Sequence, residues 1–167
     1  STYNANVMVR VEKEKLTTEQ RNAIFIKIFS WYKEKKIWIT SKNLSGRDLA
    51  LFIESKRLID YLIKETIDEE NHRRVRLSAL IILSYYNFSY LSLSERIIYA
   101  NKLVDFIREI GLEDTSFVED TIRVIRALDT KESSILDQLM KIVGKSNSQH
   151  IRSVMYRLII CLLYTSD

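Results

Sequence analysis

The stretch Asp68-Glu69-Glu70-Asn71-His72-Arg73-Arg74-Val75-Arg76-Leu77-Ser78-Ala79-Leu80 decides how the chain is read. Three acids give way to a basic run, and then Val75, Ala79, Ile82, Leu83 and Tyr86 recur at helical spacing. Such a stripe needs a neighbour to cover it, so the segment predicts a helix from about 71 to 86 packed against other helices. Polar Asn87 and Ser89 end the pattern.

The same spacing recurs on both sides. Thr17 or Thr18 can cap a helix carrying Ile24, Phe25, Ile28, Phe29 and Tyr32, with Gln20 in the capping-box position for Thr17. A second helix is expected from Ser45, with Asp48 three residues on, through Leu49, Phe52 and Ile53 towards Ile67, kinked near Glu54-Ser55. Ser92 or Ser94 opens a helix with Ala100, Leu103, Val104, Ile107 and Ile110, which Gly111 stops as a left-handed terminator. Thr115 or Ser116 starts the next (Val118, Ile122, Ile125, Leu128), and Thr130 the one after (Ile135, Leu139, Met140, Val143), closed by Gly144. Ser146 or Ser148 begins the last, with Ile151, Val154, Met155, Leu158, Ile159 and Leu162 as the most regular stripe. Alternating Val7, Val9 and Val11 and the run Ile37-Trp38-Ile39-Thr40 suggest a short amino-terminal β ribbon. No proline and three glycines fit helices better than a sheet, whose turns consume both.

A pattern repeats within the helices. Leu58-Ile59-Asp60-Tyr61-Leu62, Leu103-Val104-Asp105-Phe106-Ile107 and Ile135-Leu136-Asp137-Gln138-Leu139 share two aliphatics, an aspartate and a further aliphatic. Each is followed by a helix holding a β-branched residue and arginine: Val75-Arg76, Ile122-Arg123 and Ile151-Arg152. The aspartates lie 45 and 32 residues apart and the arginine-bearing pairs 47 and 29, the size of a helical-hairpin repeat. On these residues, from about 55 to 164, the chain resembles the HEAT/armadillo helical repeats. Arg126-Ala127, Met155-Tyr156 and the lack of a helix-kinking proline depart from that pattern. The resemblance implies an all-α, right-handed stack of antiparallel helical hairpins, with the repeated aspartates and arginines tying helices and loops together. The organisation expected is residues 1–44 as an amino-terminal helix with short flanking strands and 45–167 as the repeat region, in one compact domain.

At 167 residues, 46% apolar and 29% charged, the chain is too apolar for disorder, and no run approaches the roughly 20 residues of a membrane span. It opens without a basic, apolar leader and carries one cysteine, which points to a reducing, intracellular setting; it also lacks an initiator Met, so a fragment of a longer protein is expected. The net charge of +4 is a weak pointer to nucleic acid.

Catalytic and cofactor signatures are sparse. His72 and His150 have no metal-ligand spacing, and Gly46, Gly111 and Gly144 form no phosphate loop. Cys161 within Leu158 to Leu163 reads as a small buried hydrophobe, and Glu69-Glu70 and Glu119-Asp120 read as acids at helix starts. Neither metal, cofactor nor enzymatic activity is therefore expected, and an enzyme on a HEAT-like scaffold, such as a DNA glycosylase, ranks last.

Binding patches remain. His72, Arg73, Arg74 and Arg76, joined by Arg123, Arg126, Arg152 and Arg157 on one face, would suit phosphates or an acidic peptide; the alternative is internal pairing with Asp60, Asp105, Asp137 and nearby glutamates. Trp31, Tyr32, Lys33, Lys35, Lys36 and Trp38 interleave aromatics with lysines that could stack on bases, against core anchoring. Tyr85, Tyr86, Phe88, Tyr90 and Leu91 form an aromatic cluster for protein docking, against packing between repeats. The function expected is a scaffold that binds a peptide or partner subunit through Arg73, Arg74, Arg76, Tyr85, Tyr86, Phe88 and Tyr90. The alternative is a nucleic-acid-binding helical domain using Lys33, Lys35, Lys36, Arg123, Arg126 and Arg152.

Overall fold

The computed structural model describes residues 15–35, 46–50 and 55–163. Among these residues the regular elements are α-helices and no strand occurs: α1 (Thr18–Lys35), α2 (Gly46–Ala50), α3 (Lys56–Ile67), α4 (Arg73–Ser84), α5 (Leu93–Ile110), α6 (Thr115–Leu128), α7 (Ser133–Gly144) and α8 (Gln149–Leu163). The segments expected to form a ribbon, 7–11 and 37–40, lie outside the described residues. Contacts divide the chain into two units, Ser1–Tyr86 and Asn87–Asp167, where the sequence places a boundary near residue 45.

In the first unit the caps set where helices begin. Thr17 N–H donates to Gln20 Oε1 (2.9 Å) and Gln20 N–H to Thr17 Oγ1 (3.2 Å), the reciprocal box expected for α1. Phe25, Phe29 and Tyr32 are buried at steps of four and three residues, while Ile24 and Ile28 are half-buried, so the stripe is narrower than the apolar spacing suggests. The single helix expected from 45 to 67 is replaced by α2 and α3. Ser55 sits in extended backbone (φ −139°, ψ 143°) and caps α3 by accepting from Leu58 N–H, while its hydroxyl donates to Asn22 Oδ1 at 2.8 Å. A serine committed both to a cap and to a buried asparagine of α1 cannot continue a preceding helix. α3 packs on α1 and α4, and α4 also packs on α2. α4 buries Val75, Leu77, Ser78, Ala79, Leu80, Ile82 and Leu83, more than one stripe, as a helix covered on several sides must.

In the second unit Ser92 and Glu95 form a capping box for α5. Gly111 ends it with φ 77° and ψ −178°, a positive φ as expected but with extended rather than left-handed helical ψ; this region suits glycine alone. Asp114 caps α6 through Phe117 N–H. Thr130 does not open α7: the helix starts at Ser133 behind Glu132, which makes no side-chain cap bond, and Thr130 Oγ1 instead accepts from Glu132 N–H at 3.4 Å. Ser148 Oγ accepts from Ile151 N–H (3.2 Å) at the start of α8. α5 packs on α6 and α7, α6 on α8, and α7 on α8, so each helix touches its hairpin partner and its counterpart in the adjacent hairpin. Phe106 of α5 meets Phe117 of α6 edge to face at 6.0 Å. In α8 Met155 and Ile159 of the predicted stripe are buried, Ile151 and Leu158 are half-buried and Val154 is exposed, while the Leu162 side chain lies outside what is described.

Candidate functional site

The seven arginines do not share one role. Arg73 and Arg74 are exposed in the first turn of α4, where His72 Nδ1 accepts from Arg74 N–H. Arg76 is half-buried, and its Nε–H donates to Thr66 O at 2.8 Å, near the carboxyl end of α3. Arg152 likewise donates to Ser146 O just ahead of α8, and Arg123 pairs with Glu119 one turn away at 2.7 Å. Arg126 and Arg157 are exposed, with no ion pair among the described residues. The arginine of two of the three repeated dipeptides therefore serves a preceding carbonyl. Of the repeated aspartates, Asp105 pairs with Arg108, whose guanidinium also donates to Gln138 Oε1 of α7 (2.9 Å). Asp60 and Asp137 are exposed.

The lysine–aromatic patch is split. Lys33 Nζ donates to Glu65 Oε2 at 3.0 Å; Glu65 is buried and also accepts from Asn71 Nδ2 at 2.7 Å, while the same Nδ2 reaches Glu65 O at 2.9 Å. That hydrogen bond holds the Lys33 ammonium above its ordinary 10.5, against a smaller opposing effect of burial. Lys33 thus ties α1 to α3. Lys35 is exposed, Trp31 is exposed and lies edge-on to buried Tyr32 at 5.1 Å, and Lys36 and Trp38 lie outside the described residues. A double-mutant cycle on Lys33→Met and Glu65→Gln should return a coupling of about 1 kcal/mol at neutral pH, since the lysine is partly solvated. A raised ammonium pKa means the coupling is full below 10.5 and fades as pH rises through the folded value. Denaturant titrations of the four proteins at neutral and strongly alkaline pH measure it.

The aromatic cluster also divides. Tyr85 (60%) and Tyr90 (47%) are exposed, whereas Tyr86 (8%) and Phe88 (1%) are buried together with Leu91. Tyr86 and Phe88 are core residues here, not rings offered to a partner.

Among the described residues no cluster of three or more His, Cys, Asp or Glu could hold a metal ion, and no helix is long and apolar enough to cross a membrane. Cys161 is exposed, contrary to the burial expected from its apolar neighbours, because it turns away from the side of α8 that Met155 and Ile159 bury. Glu119 and Asp120 lie in the second turn of α6, so they do not cap it; Asp114 does. Burial and then the Glu119 charge push the Asp120 carboxyl up to about 6, with Arg123 opposing. The folded state therefore prefers protonated Asp120, and stability falls as pH rises from 3.8 to about 6. Asp120→Asn should remove that slope and stabilise the chain at pH 7 by about 1 kcal/mol after allowing for solvent screening. Thermal melts of both proteins across this interval check the sign.

One cavity lies where the sequence expects Thr130 to open a helix. It measures about 420 Å³ and is bordered by the α6–α7 loop, with Ile125, Ile135, Leu136 and Leu163 as apolar walls. Asp129 (φ 46°) and Lys131 (φ 54°) in this loop both occupy the positive-φ region that non-glycine residues seldom adopt. The loop is held from behind by Arg96 of α5, whose Nη1 donates to Leu128 O (3.0 Å) and Asp129 O (2.8 Å). Arg96 carries no local sequence signal, because its acceptors lie 32 and 33 residues on. Compared with protein-family models, with curated proteins and with solved structures, the chain matches none.

Proposed function

We propose that the chain is a non-enzymatic scaffold, a short armadillo/HEAT-like stack of helical hairpins that binds a peptide or partner protein. The observation that supports this most is the contact pattern of α5 to α8, in which each helix meets its hairpin partner and its counterpart in the adjacent hairpin. That pattern leaves outer faces of consecutive hairpins open for recognition. Exposed aromatics sit where a partner could reach them: Tyr85 on the first unit, and Tyr90 with Leu93 on the second. The nucleic-acid alternative draws less support, because Lys33, Arg76, Arg123 and Arg152 are committed to carboxylates and carbonyls within the protein.

Affinity purification with quantitative mass spectrometry tests the proposal, comparing the wild type with Tyr85→Ser/Tyr90→Ser and with Arg73→Glu/Arg74→Glu. All four substituted side chains being exposed, folding should persist, as circular dichroism can verify. A protein partner should survive a rise from about 0.05 to about 0.2 M salt and be depleted by the tyrosine pair. Co-purified nucleic acid that is lost over the same salt range, and lost with the arginine reversal, would replace this reading with the alternative.

A further inference from the structure

Resting on the scaffold reading, we propose that the strip of α8 formed by Ile151, Val154 and Leu158, bordered by Arg157 and by Arg126 of α6, docks an acidic amphipathic helix of a partner protein.

The strip follows from how α8 is seated. Met155 and Ile159 are buried. Tyr156 Oη lies against Gly144 of α7, so α7 takes the Tyr156 flank of α8 and α6 the flank of Met155. At about 100° per residue, Ile151, Val154 and Leu158 share a strip about 60° wide just beyond Met155, on the side away from α7. Val154 is 37% exposed and the other two are half-buried, although α8 already packs on both α6 and α7. A single exposed valine is ordinary. Three aliphatics at steps of three and four form a ridge of the kind that fits the groove of another helix.

Charge selects the partner. α6 and α8 together carry four arginines and two acids, and α8 has no acid at all. Glu119 is already paired with Arg123 at 2.7 Å, and Asp120 is half-buried, about a third of a turn around α6 from Arg126. Arg152 donates to Ser146 O. Arg126 and Arg157 remain, both exposed and with no ion pair among the described residues. Arg157 follows Val154 by three residues and stands on the open side of the strip. Arg126 borders one cavity together with Leu163, which sets the carboxyl ends of α6 and α8 next to each other and Arg126 on the α6 side of the strip. A ligand that answers this surface has aliphatic side chains at helical spacing and carboxylates on both flanks. Nucleic acid answers it poorly, because the strip holds no ring on which a base could stack.

The test is an NMR titration of the full chain with an acetylated, amidated helical peptide of about 16 residues, with leucines at steps of three and four and glutamates on both flanks. Its comparisons are the same peptide with lysine for glutamate, a shuffled peptide of identical composition whose leucines share no face, and an oligothymidylate of about 10 nucleotides. The acidic peptide is expected to shift the backbone resonances of residues 150 to 158. Charge reversal of the peptide, shuffling, Val154→Asp and Arg126→Glu/Arg157→Glu should each weaken binding by about tenfold. All three substituted positions are exposed, and circular dichroism checks that the helices persist. Equal shifts with the acidic peptide and either peptide control, or none at residues 150 to 158, overturn the proposal. Larger shifts of the same resonances with the oligothymidylate replace the protein partner by nucleic acid. In the affinity purification, a partner set lost with Tyr85→Ser/Tyr90→Ser but kept by Arg126→Glu/Arg157→Glu removes this surface and leaves the scaffold reading standing.

Discussion

Alanine at position 88 is expected to lower the free energy of unfolding by about 3–5 kcal/mol, whereas alanine at Tyr85 should stay within about 0.5 kcal/mol of the wild type. The two aromatics are three residues apart, so local sequence gives no reason for such a difference. Burial does: Phe88 is 1% exposed and Tyr85 60%. Phe88 lies in a turn closed by Leu91 N–H donating to Phe88 O at 3.0 Å, and Asn87 Oδ1 accepts from Ser89 N–H at 3.0 Å. These bonds fix the backbone so that Phe88 and Leu91 enter the interior while Ser89 and Tyr90 face out. Removing the ring takes away its transfer free energy and leaves a void that close-packed neighbours fill only in part. Urea denaturation followed by circular dichroism would measure both variants. A midpoint for Phe88→Ala no lower than for Tyr85→Ala would return Phe88 to the surface.

That contrast marks where the sequence could be read and where it could not. Helices announced themselves wherever apolar residues fell three and four apart: Val118, Ile122, Ile125 and Leu128 of α6 are all buried as their spacing implies. The cap of Thr17 with Gln20 was equally plain, since it needs only four consecutive residues, whereas the sequence left Ser92 and Ser94 as alternatives and it is Ser92, with Glu95, that caps α5. Between Tyr85 and Leu91 there is no helical period, so composition names the aromatics and says nothing about which way each one turns. Ser55 shows the same limit in another form. Its partner Asn22 lies 33 residues back, and the break between α2 and α3 follows from that distant bond. Charged side chains were the least legible. An arginine at helical spacing gives a charge, but only tertiary structure decides that Arg76 serves a carbonyl of α3 while Arg74 stays exposed. The candidate site suffers most from this, because Thr130 reads as the opening of a helix that in fact begins at Ser133, and the loop's anchor comes from another helix.

Replacing that anchor, Arg96, with methionine should destabilise the protein by about 2–3 kcal/mol, with the damage centred on the α6–α7 loop. Methionine keeps an apolar stem of similar reach, so most of the loss comes from two carbonyls, Leu128 O and Asp129 O, that give up a charged donor at 3.0 and 2.8 Å. One contribution works in the other direction. Arg96 Nε is buried with no hydrogen-bond partner, and methionine removes that desolvation penalty, which draws the expected loss toward the lower end of the range. Loop geometry amplifies the effect, because Asp129 and Lys131 hold positive φ only while something fixes the chain there. Amide hydrogen exchange should therefore accelerate first at residues 129 to 135, ahead of α5 itself. Arg96→Lys should recover only part of the loss, since a compact ammonium on a flexible stem does not reproduce the planar fork that reaches both carbonyls. Methionine at 96 with stability within about 0.5 kcal/mol of the wild type and unchanged exchange at 129 to 135 would mean that water serves these carbonyls equally well. In that case the loop would owe its shape to the packing of Ile125, Leu128 and Ile135 alone.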